Sequence, residues 1–532
     1  MNNNKNSLNY IPLLAAICIV LGVFLGRFLY EGESSSLFSI SNNSGAKVDE
    51  VIEQIVNNYV DPVNENEITE FAINKLLAHL DPHSTYIPPY QVQGEKERML
   101  GKFEGIGIEF RVIEDTLMVV NAIKGGPSEK AGIKAGDRII GLNKQEIALG
   151  KLKTDSLVKL LRGKSGSEAA LIVIRPFTEG KITIPVVRGE IPIFSIDANF
   201  MLNQEVGYVK INRFSYQTSS EFKEATELLV NKGAKKLIID VRDNPGGSLN
   251  AVIDICKELL PNDRNIVYTK GENEQETYNS SSDGAFKDLE LTILINRNSA
   301  SASEILAGAL QDNDRATIIG RRTFGKGLVQ SVITLKDQSR IHLTIARYYT
   351  PSGRCIQKSF NKDDISGYRH DALERWRNGE LYSSDSIKVV DSLKYETLSG
   401  RTVYGGGGIT PDVFVSLDTN SNSKMLFQIL DNNLIRNFAI KFYPASNIKG
   451  ADYKESNKLL QQSDLTDKFK AYCESKKIQW DDSDYMTSQS YIQNRLEAYI
   501  LRVKYKNSGY FRKTAEIDNE IIKALKELSI ED

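Results

Sequence analysis

The sequence predicts an α+β chain of several domains, on three observations. Apolar strand-like runs alternate with helical segments between residues 189 and 417, glycine-punctuated short strands fill 103–188, and helical spacing dominates 47–102 and 418–532. At roughly 100–200 residues per domain, 532 residues hold about three to four domains. With 41% hydrophobic and 26% charged residues, the composition is globular and too polar for a polytopic membrane protein. Lys+Arg at 67 against Asp+Glu at 69 leaves a net charge of −2, so no global field favours nucleic acid. The four cysteines, Cys18, Cys256, Cys355 and Cys473, form no C-x-x-C pair, which argues against a disulfide scaffold or a zinc site. Neither a metal nor a cofactor is expected.

Residues 6–26 carry no charge, and Ile11–Leu25 is nearly all apolar between Lys5 and Arg27. About 20 helical residues cross a hydrocarbon core of ~30 Å. No A-x-A site follows the run, so an uncleaved transmembrane anchor over 10–30 is expected rather than a cleaved signal. Residues 1–9 would then form a cytosolic tail, Ser/Asn/Gly-rich 31–46 a linker, and the bulk of the chain would lie on the extracytoplasmic side. The spacing of Val51, Ile52, Ile55, Val56, Phe71, Ile73, Leu76, Leu77 and Leu80 predicts a helical lead-in within 47–102. It ends in the turn Leu80-Asp81-Pro82-His83-Ser84-Thr85-Tyr86. Sequence neighbours rarely form a catalytic pair, so His83 reads as a capping or hydrogen-bonded histidine.

Over 103–188, Gly105-Ile106-Gly107-Ile108-Glu109-Phe110 opens a series of strands. Leu117–Val120, the run Gly126–Ile140, a helical stretch Asp155–Arg162 and a closing strand Ala169–Arg175 follow. This order of motifs resembles a PDZ domain. A glycine-flanked loop can turn its amides toward a carboxylate while the adjoining strand accepts a peptide as an added strand. The resemblance implies that Gly105, Ile106, Gly107, Ile108, Glu109 and Phe110 hold a peptide C-terminus, with Arg162 as a further contact.

In the 189–417 core, Val206–Ile211, Lys236–Val241 and Leu291–Asn296 read as strands, with helices over Ser219–Asn231, Leu249–Leu260 and Ser303–Gln311. Asp240–Gly247 leaves a strand as a glycine-rich turn. Asn298-Ser299-Ala300-Ser301-Ala302-Ser303-Glu304 lies where another strand becomes a helix, a position that favours developing negative charge. Ser299 or Ser303 can cap the helix, which leaves Ser301 without a structural task. No histidine occupies a strand-to-helix turn of the core. Lys326 in Thr323-Phe324-Gly325-Lys326-Gly327 is the alternative base, provided desolvation lowers its pKa by about two to three units.

Ser299–Ile305 followed by Thr323–Gln330 resembles the active site of the carboxyl-terminal processing peptidases, the tail-specific serine proteases. Leu80–Tyr86, the PDZ-like segment, Asp240–Gly247, Tyr349–Arg354 and Gly405–Asp412 match that family in order. The resemblance spans about 48–415. It implies a ClpP/crotonase-like α/β core with Ser301 as nucleophile, Lys326 as general base and Gln330 orienting the amine. It further implies an oxyanion hole from the amides of Ala302 and Gly247, substrates with free C-termini, and a homodimer or adaptor as an added partner. A catalytically silent peptide-binding scaffold of the same fold is the competing reading, and a hydrolase with His83 or His342 as base, which needs one of them near Ser301, is a third. Beyond 417 the familiar motifs end, and 418–532 reads as a polar helical appendage that buttresses the core or mediates self-association; 361–399 reads as an exposed insertion.

Overall fold

The computed structural model describes residues 15–16, 19–22, 44–143, 145–146, 154–361, 366–448 and 450–529. It forms two units, Met1–Ile73 and Asn74–Asp532. In the first lies helix α1 (Ser44–Asn58), and α2 (Glu65–Leu80) begins with Glu65 and Glu67 in its first turn, where acidic side chains suit the helix dipole. The expected anchor over 10–30 lies outside the described residues except for 15–16 and 19–22, which are helical. Among the described residues, no helix is long and apolar enough to cross a membrane.

In the second unit, β1 (Thr85–Ile87) leads to α3 (Pro89–Leu100). This helix starts on a proline and stops at Gly101, whose φ of 65° ends it in the left-handed region. β2 (Lys102–Gly105) then enters the 103–188 domain. There β3 (Ile108–Ile113), β4 (Thr116–Ala122), β5 (Arg138–Leu142), β6 (Glu168–Ile174) and β7 (Ile182–Val187) form an antiparallel sheet in that order, with α4 (Thr154–Leu161) beside it. β6 alternates, burying Ala169, Leu171 and Val173 against Leu157 and Leu161 of α4. β8 (Gly189–Pro192) pairs antiparallel with β2, so the domain stands on a two-stranded stalk.

The core sheet takes β9 (Ile196–Met201), β10 (Val206–Ile211), β11 (Lys236–Asp240), β13 (Glu290–Ile295), β14 (Ala316–Gly320) and β17 (Val413–Phe414) in that spatial order. It is parallel except at β9. Helices α5 (Thr218–Val230), α6 (Leu249–Leu259) and α7 (Ala302–Asp312) connect its strands. Period-2 geometry splits the strand residues: Val209, Ile211, Leu237, Ile239 and Ile293 pack with the three helices, and Tyr208, Ile238, Leu294 and Ile319 face the other way. A second sheet centres on β16 (Arg340–Tyr349), which pairs with β1, with β12 (Asn265–Gly271) and with β15 (Leu328–Thr334).

Two expectations change here. The 361–399 segment is not a free insertion. Its helix α8 (Ser366–Arg377) buries Arg375, which donates to the Thr323 carbonyl at 2.6 Å. Residues 418–532 are likewise more than an appendage. Helices α9 (Lys424–Asp431), α10 (Leu434–Phe442), α11 (Tyr453–Gln461), α12 (Leu465–Ser475), α13 (Asp482–Thr514) and α14 (Asn519–Glu527) build their own core. They also supply Ala515, Ile521, Ala524 and Leu528 to the second face of the core sheet. A mostly parallel sheet needs cover on both faces, and this region is the second cover. It reaches the 103–188 domain too, where Ile440 and Val503 meet Ile113, Met118 and Val120.

Candidate active site

The strand β13 ends at Ile295, and six residues later Ser301 opens α7 with φ 53° and ψ −115°, a strained backbone for a residue with a Cβ. The neighbouring serines hold that turn in place. Ser299 Oγ donates to the Val241 carbonyl at 2.8 Å and Ser303 Oγ to the Asn244 carbonyl at 2.9 Å, both fully buried. The cap position therefore falls on Ser301 itself, and the flanking serines stitch the turn to the end of β11 instead of capping the helix. Gly246, at φ 100°, lies under Ser301: a Cβ there would sit 2.7 Å from Ser301 Cβ and 3.0 Å from the Ala302 nitrogen. Beside it, a Cβ on Gly247 would fall 2.0 Å from the Phe214 carbonyl oxygen. Neither the Ala302 nor the Gly247 amide donates to an acceptor among the described residues.

Lys326 arrives from the loop after β14. Its amine donates to Gln330 Oε1 at 2.9 Å, and Gln330 Nε2 donates to the His83 carbonyl at 2.5 Å. Burial pulls the Lys326 pKa below its ordinary value, partly opposed by the Asp81 and Glu304 carboxylates. Ser301, Ala302, Gly247, Lys326 and Gln330 all line one cavity of about 830 Å³. Its other walls include Leu249, Ile305, Leu328 and Val329, and its polar residues include Glu95, Arg340 and His342.

Glu304 links the two halves. This fully buried carboxylate accepts the Ser301 amide at 2.9 Å and the Lys326 amide at 2.9 Å through Oε2, and the Gly325 amide at 2.7 Å and Thr323 Oγ1 at 2.5 Å through Oε1. Burial raises its carboxyl against the pull of the four donors, and the balance leaves it at about 7. Tyr348 lies across the join, its hydroxyl 2.5 Å from the Lys326 carbonyl and 3.1 Å from that of Ser301. Sequence reasoning assigned roles to neither residue. The signal for Glu304 was an acid in the first turn of a helix whose every residue is buried.

Of the candidate histidines, His83 places its ring Nε2 2.5 Å from the Tyr368 hydroxyl, and burial with the nearby Lys326 charge lowers its pKa to about 4. Its backbone carbonyl, rather than its ring, joins the site. His342 lines the cavity paired with Glu95 at 2.5 Å.

The residues singled out in the 103–188 domain fall together at the edge strand β3. Gly105, Ile106 and Gly107 form the approach, Ile108 and Phe110 pack toward the domain core, and Arg162 bridges to Gly105. Two of them are engaged elsewhere. Arg162 pairs with Glu97 of α3 at 2.5 Å, and Glu109 pairs with Arg502 of α13 at 2.8 Å.

Residues 205–366 match the model of peptidase family S41, and 105–186 match the PDZ domain model. The carboxy-terminal processing protease CtpB of Bacillus subtilis is 35% identical over 346 residues, covering 64% of this chain and 71% of that protein. The chain belongs to peptidase family S41. A probable CtpA-like serine protease of Staphylococcus aureus is 32% identical, with 67% of this chain and 70% of the relative covered. Among solved structures, the photosystem II D1 C-terminal processing protease aligns at a TM-score of 0.36 with 24% identity, over 70% of this chain and 87% of its own. As an S41 member with a PDZ domain, the chain is a serine-type peptidase with peptide substrates. Residues 425–506 match a family of unknown function.

Proposed function

We propose that this S41 peptidase is an endopeptidase that takes hold of free protein C-termini with its PDZ domain and cuts with a Ser301/Lys326 dyad. The observation that carries the reading is a desolvated lysine amine, held by Gln330, on the same cavity as a serine at a helix N-terminus. A lysine kept out of water gives up its proton more readily than one in solvent and can serve as a base. Lys326 removes the proton from Ser301 Oγ as the oxygen attacks the scissile carbonyl, and the resulting ammonium returns that proton to the leaving amine. Water, activated by the neutral amine, then hydrolyses the acyl-enzyme. The Ala302 and Gly247 amides serve the oxyanion, a donor of this kind contributing about 3–4 kcal/mol. The edge of β3 and the loop Gly105–Gly107 receive the substrate's last residues as an added strand, with the Arg162–Glu97 pair at the join between PDZ domain and α3.

The test is cleavage of unstructured proteins bearing apolar or charged C-termini by the wild type and by Ser301→Ala, Lys326→Ala and His83→Ala. Loss of turnover in the first two, with C-terminal peptide binding retained, is the expected outcome. Full cleavage by Lys326→Ala would remove the dyad, and binding without turnover in the wild type would leave a silent scaffold.

A further inference from the structure

The Lys326 amine is held through a turn some 240 residues earlier in the chain. Gln330 Nε2 reaches the His83 carbonyl, and that carbonyl sits in a turn built around the buried Asp81. Asp81 Oδ1 accepts the His83 amide at 2.7 Å and the Ser84 amide at 2.8 Å, and Oδ2 accepts the Ser84 hydroxyl at 2.6 Å. An aspartate bonded to amides two and three residues ahead fixes a turn's backbone. Ser84 Oγ also accepts the Thr344 amide at 3.1 Å, which fastens the turn to β16.

We propose that Asp81 is a positioning residue for the base: by shaping the 81–84 turn it aims the His83 carbonyl at Gln330 and so sets which end of that amide meets Lys326. This rests on the dyad reading above. A carbonyl only accepts, so the amide NH₂ must face His83 and the amide oxygen must face the amine. A neutral amine has two N–H groups and one lone pair. Spending one N–H on Gln330 Oε1 leaves the lone pair for the Ser301 proton, whereas a reversed amide would donate into that lone pair. Once the proton has moved from Ser301 Oγ to Nζ, the ammonium is met by two anions, Asp81 and Glu304. The other charged groups around it are accounted for. The His83 ring is held neutral by its lowered pKa, Lys358 is paired with Asp371 at 2.9 Å, and Arg340 and His342 both pair with Glu95 on the cavity wall.

The experiment measures cleavage by the full chain across pH for Asp81→Ala and Asp81→Asn, with Ser301→Ala as the inactive reference and thermal melting as the check on folding. Asn keeps an oxygen for the two amides and discards the charge. For Asp81→Ala the expected result is a kcat lower by about tenfold to a hundredfold at unchanged KM. Asp81→Asn should retain most of kcat while the acid limb of kcat/KM moves to lower pH, because an anion that favours the ammonium is gone. A natively melting Asp81→Ala with wild-type kcat overturns the proposal. If Asp81→Ala fails to fold, Asp81→Asn decides, and a natively melting Asp81→Asn whose kcat drops about a hundredfold or more overturns it. Failure of the dyad itself reads differently, as turnover surviving in Ser301→Ala or Lys326→Ala.

Discussion

One carboxylate, Glu304, holds the amides of both residues assigned to the chemistry, so the relative position of Ser301 and Lys326 depends on its two oxygens more than on either loop alone. Each oxygen takes two donors. Glu304→Gln keeps the shape but turns an NH₂ toward two of them, whichever way the amide lies. Leaving buried donors unmet should cost about 2–5 kcal/mol and lower kcat with it. The pH dependence has a definite sign. The carboxyl is lifted from 4.5 to about 7 in the native chain, so its contribution is full below 4.5 and is lost as pH rises through about 7. Melting temperatures measured across that window should fall in the wild type and stay flatter in Glu304→Gln. Equal slopes in both would show that Glu304 does not titrate there. Little of this was legible beforehand. The serine and lysine motifs stood out as local patterns, but the acid acquires its meaning only when residues 301 and 323–326 fold onto the same side chain.

At the scale of elements, the site is a contact between two strand-to-helix turns, Asp243–Gly247 and Asn296–Ser301. Asp243 Oδ1 accepts from both Asn296 and Asn298, and the Ala300 amide donates to the Asn244 carbonyl at 3.0 Å. The closeness of the turns requires glycine at 246. Gly246→Ala would strain a positive φ and push against Ser301 Cβ and the Ala302 nitrogen. A displaced oxyanion donor typically lowers kcat by about 10²–10³, and we expect that loss with C-terminal peptide affinity intact, read by turnover beside a binding titration. A variant with normal turnover would place the oxyanion donor elsewhere. These elements were readable because apolar runs of period two and 3.6 mark them and glycines mark the turns. The roles of Ser299 and Ser303 were not, since a cap and a cross-turn bond ask for the same residue type.

For the whole molecule, the region after 417 is the informative surprise. Some of its charges are spent on the core. Arg242, which also pairs with Asp240, bonds Asp518 at 2.9 Å and Glu520 at 3.1 Å, and Arg321 meets Glu520 at 2.6 Å. Ending the chain after Lys506 would strip Ala515, Ile521, Ala524 and Leu528 from Tyr208, Ile238, Leu294 and Ile319. Burial of Ile521 and of Leu528 carries roughly 1.5–3 kcal/mol each, and of the alanines less, so the shortened protein should melt far lower or precipitate. A soluble, active product would mean the second sheet face tolerates water. Helix spacing alone gives no partner for an amphipathic face, which is why the sequence showed the helices but not the sheet face they cover.

The stalk has a further consequence. The chain enters the PDZ domain at β2 and leaves at β8, and the Ile193 amide donates to the Gly101 carbonyl at 2.7 Å. The recognition module therefore hangs from two adjacent threads, and evolution can trade it for another without rewiring a single catalytic strand. The trade carries conditions, beginning with an apolar patch to meet Ile440 and Val503 as Ile113, Met118 and Val120 do. Any newcomer must also present an acidic flank like that of Glu109, Glu114 and Glu129, because Arg502, Lys441 and Lys506 are waiting to grip it.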